Sequence, residues 1–344
     1  MSTVIMGANA TQQISCVSLG MVILDEIRMP NKLPLLNVIG GSATFVTLGL
    51  RLFATKSLVP GCLVLAGSDL PREIREEMQS WRCNPLTVID FPDQPCSRGL
   101  LVYEDDTFGP KTFEYTTPPL RAIPKHLVGT PLLSARAFHF FGRPEEIIDQ
   151  IPELLSYRQS AYPELPHPFL VWEPLPSSCR PENLPAFQQA CELVAVFSPN
   201  HLELAALIPD HATHIANPES LSALISLGTS FLASRSIANR LQPTLILRAG
   251  ALGALAFQPK SSGPPVHVPA FHSPGSGKVV DVTGAGNAFL GGYVAGWLLE
   301  GNVRGALEAG SVAAGVAVEQ IGIPRLLEGE GVQRLAQLRG RVEE

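Results

Sequence analysis

The sequence predicts an α/β protein, a mostly parallel sheet covered by helices on both faces and carrying a small β appendage. Three observations predict it. Short apolar runs alternate with helix-length amphipathic segments along most of the chain, as repeated βα units do. Between residues 87 and 117 that alternation gives way to short strand-like runs. Hydrophobic residues make up 45% of the 344 residues and charged ones only 16%, against ~25% charged in ordinary globular chains. A large core is therefore expected, and extended disorder is excluded.

In chain order, an apolar run over residues 14–25 ends on Asp25 and reads as a buried first strand. Gly40-Gly41-Ser42 precedes a helix expected over 43–53, with Phe45, Leu48, Leu50 and Leu52 as its apolar positions. A short strand at 63–66 is followed by a helix at 71–81, which has proline at an early helical position and acids near its start. The runs 99–103 and 111–115, broken by Glu104-Asp105-Asp106 and Gly109-Pro110, are expected to form an antiparallel appendage. Alternation resumes with a strand at 137–141, a helix at 144–157 and strands at 169–172 and 193–197. Residues 258–278, rich in proline, glycine and serine, predict a long loop at an edge or a site. Small residues over 310–322 predict close helix packing, and no repeat of fixed period is visible.

Charge and cysteine usage narrow the function classes. The net charge is −6 and no Lys/Arg block is present, which argues against nucleic acid as the main partner and for a small molecule or a protein. The six cysteines have neither CxxC spacing nor scaffold density and read as reduced thiols. Residues 1–13 lack a basic segment followed by an apolar one, and no run reaches the ~18 apolar residues of a membrane span. A cytoplasmic protein with no membrane contact is expected.

The most informative segment is 279–289. Gly284-Ala285-Gly286, placed just before the apolar-periodic Phe289, Tyr293, Val294, Trp297 and Leu298, puts bare backbone N–H groups at a helix N-terminus. A phosphate can approach such backbone closely, and the helix dipole favours the charge that develops in phosphoryl transfer. Taken alone, the glycines also suit close packing. Asn200 and Glu203 pair an amide with a carboxylate, oxygens that suit a hard cation keeping most of its waters; the same spacing is a helix capping box. Glu173 stands at a strand end as a further site candidate. His211 and His214, without a third ligand, read as surface residues. His267 and His272 either face a ligand or are solvated in the long loop. Asp90, Asp93, Glu104, Asp105 and Asp106 read as a solvated rim of the appendage. No Gly-x-Ser-x-Gly elbow, HExxH or Walker A spacing occurs.

Together these segments resemble the ribokinase-like, or PfkB, family of sugar and nucleoside kinases over nearly the whole chain. Residues 281–289 resemble its second signature, D-T-x-G-A-G-D-x-F, with two departures. Val282 replaces the Thr, and Asn287 replaces the Asp that serves as general base. A carboxamide has no basic site near neutral pH and can only orient a hydroxyl. Gly20 and Asp25 resemble the first strand, whose Asp binds substrate hydroxyls. Gly40-Gly41-Ser42 resembles the first signature, with Thr44 and Phe45 where the family has an Asn a few residues on. Asn200 and Glu203 match N-x-x-E. Residues 245–254 resemble the strand and Gly-x-x-Gly turn beside the nucleotide, with Arg248 at a place often held by a small polar residue, either as a phosphate contact or in an ion pair.

The resemblance implies one ribokinase-like three-layer sandwich over 1–344, with a small β lid drawn from about 26–39 and 95–120. It places the substrate at Asp25, Gly40, Gly41 and Ser42, and ATP at Asn200, Glu203, Arg248, Gly250, Gly253 and Asp281. Catalysis falls to Gly284, Ala285, Gly286 and Asn287, with Mg²⁺ held at Glu203 through water. A monovalent cation and a homodimer through the lid are further implications. Three activities stay open: ATP-dependent phosphotransfer to a sugar, nucleoside or related hydroxyl, weakened by Asn287; a catalytically inactive nucleotide or metabolite binder acting through a protein partner; and reuse of the anion pocket for another reaction.

Overall fold

The computed structural model describes residues 13–105, 111–209, 220–234, 243–259, 263–325 and 329–343. In chain order its elements are β1 (Ile14–Leu19), β2 (Ile23–Arg28), β3 (Leu35–Gly40), α1 (Ser42–Arg51), β4 (Val59–Pro60), β5 (Cys62–Gly67), α2 (Arg72–Ser80) and β6 (Leu86–Phe91). They continue as β7 (Arg98–Tyr103), β8 (Lys111–Tyr115), β9 (Ala137–Gly142), α3 (Pro144–Ala161), β10 (Phe169–Pro174), α4 (Leu184–Cys191), β11 (Val196–Phe197) and α5 (His201–Leu207). The last are α6 (Leu221–Ala233), β12 (Thr244–Arg248), β13 (Ala254–Phe257), β14 (Val266–Val268), α7 (Ala285–Glu300), α8 (Val303–Ala317) and α9 (Glu330–Glu343).

An eight-stranded sheet in the order β14-β13-β12-β11-β10-β9-β1-β4 forms the middle layer. The pairs from β12 through β4 are parallel, whereas β13 and β14 run antiparallel at one edge. The period-two pleat assigns alternate residues to opposite faces. On β10, Leu170 and Trp172 join Phe138, Phe197 and Leu245 in the core beneath α3 and α4, while Val171 joins Val196, Ile246 and residues of α1, α7 and α8 on the other side. Both faces are covered, as a parallel sheet requires. This is the ribokinase-like α/β sandwich. Among the described residues no helix is long and apolar enough to cross a membrane, and all six cysteines are free.

A second sheet, β3-β2-β7-β8, stands apart from the first. β2 and β7 pair in parallel, with Asp25 opposite Gly99, and β7 and β8 pair antiparallel, with Tyr103 opposite Lys111 and Gly99 opposite Tyr115. Asp25, Tyr103, Lys111, Phe113 and Tyr115 therefore share one face.

Six local expectations differ from the fold. The single strand expected over 14–25 is two strands in two sheets. The chain breaks at Gly20, where an added Cβ would lie 2.3 Å from Ser42 Oγ, and the Met21 N–H donates to that Oγ at 3.2 Å. The 63–66 strand pairs with β6 in its own two-stranded sheet. The appendage is mixed, because β2 and β7 are parallel. Of 193–197 only the last two residues are strand, and the loop expected over 258–278 includes edge strand β14, where His267 Nε2 meets the Leu252 carbonyl at 2.8 Å. Asp90 lies on β6, outside the appendage, paired with Arg75 at 2.6 Å. His211, His214, Asp106 and Gly109-Pro110 lie outside the described residues.

Candidate functional site

The strand ends of the large sheet and the start of α7 converge on one buried polar cluster. The turn before α7 puts Gly284 in the left-handed region at φ +78°, which favours glycine. An added Cβ there would lie 2.4 Å from the Phe45 ring, so the aromatic side chain of α1 packs directly against the glycine turn. Phe45 is buried with Ala288 and Ala317.

Asn287, in the first turn of α7, donates from Nδ2 to Glu173 Oε2 at 2.5 Å. Glu173 lies near the C-terminal end of β10. Its other oxygen, Oε1, accepts from Arg248 Nη1 at 2.7 Å, and His139 Nε2 lies 3.3 Å from Oε2. His139 Nδ1 in turn sits 2.9 Å from Ser18 Oγ. Burial alone would raise the Glu173 carboxyl, but Arg248, His139 and Asn287 together hold it below the usual range.

Arg248 ends β12. Its Nη2 donates to the Ser198 carbonyl at 2.9 Å and lies 3.6 Å from Glu203 Oε2, while its buried Nε has no partner. The guanidinium presses against the α7 start, since a Cβ on Gly286 would fall 2.1 Å from Nη1. Asn200 caps α5. It accepts from the Glu203 N–H at 2.8 Å and donates from its own N–H and Nδ2 to the two Glu203 carboxylate oxygens, each at 2.7 Å. The capping-box pattern is thus present in full. Burial pushes the Glu203 carboxyl up to about 7, with Arg248 opposing the rise. Glu173 and Glu203 move in opposite directions beside the same arginine: Glu173 also has His139 and Asn287, whereas the Glu173 charge adds to the rise of Glu203.

A groove opens beside this cluster. A cavity of about 490 Å³ is lined by Arg248, Gly250, Gly253, Phe271, Ala285, Gly286, Phe289 and Gly315 among others. His272 also lines it and bonds Glu319 Oε1 at 2.9 Å.

The small sheet carries the remaining site candidates. Asp25 is buried on β2 with its carboxylate between two glycines: a Cβ on Gly40 or on Gly99 would lie 2.3 Å from one of its oxygens. Asp25 Oδ1 has no hydrogen-bond partner. Burial pushes this carboxyl up to about 7, with Lys111 opposing the rise and Asp281 adding to it. Asp281 itself turns toward the small sheet. Its Oδ1 accepts from Thr283 N at 2.9 Å, Thr283 Oγ1 at 2.7 Å and Tyr103 OH at 3.0 Å, and Lys111 Nζ lies 3.4 Å away. Lys111 also bonds Thr283 Oγ1. Ser42 Oγ is committed to the Met21 backbone.

The structure thus joins Asn287, Glu173, Arg248, Glu203 and Asn200 in one network, sets Gly250, Gly253 and Gly286 along the groove, and groups Asp25 with Gly40 on the small sheet. Sequence reading missed His139, Ser18, Tyr103, Lys111 and Gly99. The pleat puts Tyr103 and Lys111 on one face, but only strand pairing reveals that the face looks toward Asp281.

A doubly covered parallel sheet, a glycine-led helix start at its strand ends, a groove on one side and a small β sheet carrying a buried acid on the other define the ribokinase-like class of α/β fold. The sequence model described as pfkB family carbohydrate kinase matches residues 173–325. An uncharacterized protein of Schizosaccharomyces pombe is 31% identical over 329 residues, covering 91% of this chain and 87% of its own length. Protein MAK32 of Saccharomyces cerevisiae is 30% identical over 321 residues, covering 89% and 85%. The fold is shared with aminoimidazole riboside kinase from Salmonella enterica, solved with aminoimidazole riboside and an ATP analog (TM-score 0.64, 16% identity, 94% of this chain and 100% of that one). The chain belongs to the PfkB family of carbohydrate kinases.

The resemblance assigns Mg²⁺ to Glu203, and the donor set does not fit that assignment. Both Glu203 oxygens are taken by Asn200, and the Arg248 guanidinium lies 3.6 Å from one of them. A divalent cation reached through water would share these carboxylates with a fixed guanidinium and with the Asn200 donors.

Proposed function

We propose that this protein binds a nucleotide in the groove at Gly286 and a small hydroxyl-bearing metabolite of sugar or nucleoside type at Asp25, with little or no phosphoryl transfer between them. The observation that carries this reading is the hydrogen bond from Asn287 to Glu173. It commits one amide hydrogen of Asn287 to the carboxylate and leaves Oδ1 as the group able to accept from an acceptor hydroxyl. A carboxamide oxygen orients such a hydroxyl without taking its proton. Glu173 is a poor substitute base, because both oxygens are engaged and its carboxyl sits below the usual range. General-base assistance is typically worth about 10²–10⁴-fold.

In this reading the backbone of Gly284, Ala285 and Gly286 receives the phosphate end and Gly250 and Gly253 flank the nucleotide. The β3-β2-β7-β8 sheet acts as the lid, and Gly40 and Gly99 leave room beside Asp25. Asp281 fastens the lid to the glycine turn rather than touching nucleotide. The ligands solved with the riboside kinase support a nucleotide and an acceptor as the two occupants. Cytoplasmic residence and a homodimer through the lid belong to the same proposal; Leu33, Leu36 and Val102 are exposed apolar residues of the lid.

Titration calorimetry with ATP, followed by ATP consumption against a panel of sugars and nucleosides, tests the reading. Binding with consumption at background is the expected outcome; absence of binding sinks it. A second reading, slow phosphotransfer, is favoured by Asp25, whose unpartnered Oδ1 and carboxyl pushed up to about 7 suit a proton acceptor. It requires slow, acceptor-dependent ATP consumption that Asp25→Asn abolishes.

A further inference from the structure

A fixed cation of the protein itself lies beside the acid that the resemblance assigns to Mg²⁺. Arg248 brings its guanidinium between two acids, 2.7 Å from Glu173 and 3.6 Å from Glu203, and the Ser198 carbonyl anchors it at 2.9 Å. It lines the groove and abuts Gly286 at the start of α7. The acids around it have no uncommitted oxygen: Asn287 and His139 take the second oxygen of Glu173, and Asn200 takes both oxygens of Glu203. A Mg²⁺ ion held through its waters would have to share these acids with the guanidinium already set between them. A guanidinium, by contrast, is permanently charged and presents a planar fork of donors that matches phosphate oxygens.

We propose that Arg248 replaces Mg²⁺ as the counter-charge at the phosphate end of the groove, so that this protein binds a nucleoside polyphosphate without a divalent cation. The inference rests on the nucleotide-binding reading above. The two carboxylates keep the guanidinium fixed and offset its charge until a ligand competes for it, and a polyphosphate entering past Gly286 meets Nη1 and the α7 N-terminus together.

The experiment is calorimetric titration of the full chain with ATP, once in excess EDTA and once in excess MgCl₂. The two dissociation constants are expected to agree within about threefold, because the counter-charge is already present. Arg248→Thr is expected to weaken ATP binding in EDTA by about tenfold or more, the scale of one charge-assisted contact, and to make what remains stronger in MgCl₂. Arg248→Lys, which keeps the charge but loses the fork, is expected to fall between the two. Binding by the unaltered chain that is tenfold or more tighter in MgCl₂ than in EDTA overturns this inference and leaves the nucleotide reading standing. Absence of ATP binding in both conditions overturns both.

Discussion

Asn287 differs from an aspartate by one nitrogen, and its surroundings explain why that nitrogen is retained. With Nδ2 2.5 Å from Glu173 Oε2, an aspartate at 287 would set two carboxylates in contact, a pair that cannot both ionise without cost. Asn287→Asp is therefore expected to destabilise the fold by about 1–3 kcal/mol near neutral pH. The pair would hold one proton in the folded state more tightly than in the unfolded chain. Stability is then retained below the ordinary carboxylate range and lost as pH rises above it. Melting temperatures of the variant and the unaltered protein should converge in acid and separate toward neutral pH; an equal gap at both would contradict the contact. Asp25 follows the same sign without mutation. Its folded carboxyl is raised from 3.8 to about 7, so its contribution is full below about 4 and is lost as pH rises to about 7, by a few kcal/mol at most. Asp25→Asn should flatten the melting-temperature profile across that window.

Among the elements, the short helix α5 and the small sheet carry the clearest consequences. Asn200 caps α5 and binds both Glu203 oxygens. Asn200→Ala is expected to cost about 1 kcal/mol for the cap alone, read as a lower denaturation midpoint with an unchanged m-value. The small sheet is fastened to the α7 turn by Tyr103 and Lys111, through Asp281 and Thr283. Tyr103→Phe combined with Lys111→Met should speed amide hydrogen exchange in β7 and β8 while leaving β10 unchanged. Equal protection in both proteins would show that the sheet is held by its packing alone. Strands and helices with a clear period were legible in the sequence, including α2, β7, β8, β9 and β10. The division of residues 14–25 between two sheets was not, because a buried apolar run gives no sign of where it leaves one sheet for another. The isolation of β5 with β6 likewise depends on pairing, which no single strand encodes.

At the scale of the molecule, the layer order and the glycine-led start of α7 were readable from alternation and composition, whereas Asp25, Gly40, Asn200 and Glu203 stood out as candidates through the family resemblance. The engagement of these groups was not readable. Arg248 was recognisable as an unusual residue at a strand end, but its lodging between Glu173 and Glu203 arises only when β10, β12 and α5 converge. The same convergence sets Arg248 beside the start of α7 and leaves the groove of about 490 Å³ open beside it. A ligand that binds the folded chain alone stabilises it by mass action, so ATP should raise the melting temperature in proportion to the logarithm of its concentration.

The most direct measurement is recovery of the nucleotide. The protein is incubated with ATP and a panel of sugar and nucleoside acceptors, and ATP, ADP and phosphorylated acceptor are quantified over time. The account predicts bound ATP recovered intact, with turnover at least about 10²-fold below the ~1–100 s⁻¹ of ordinary kinases. Acceptor-dependent conversion to ADP within that ordinary range would contradict it.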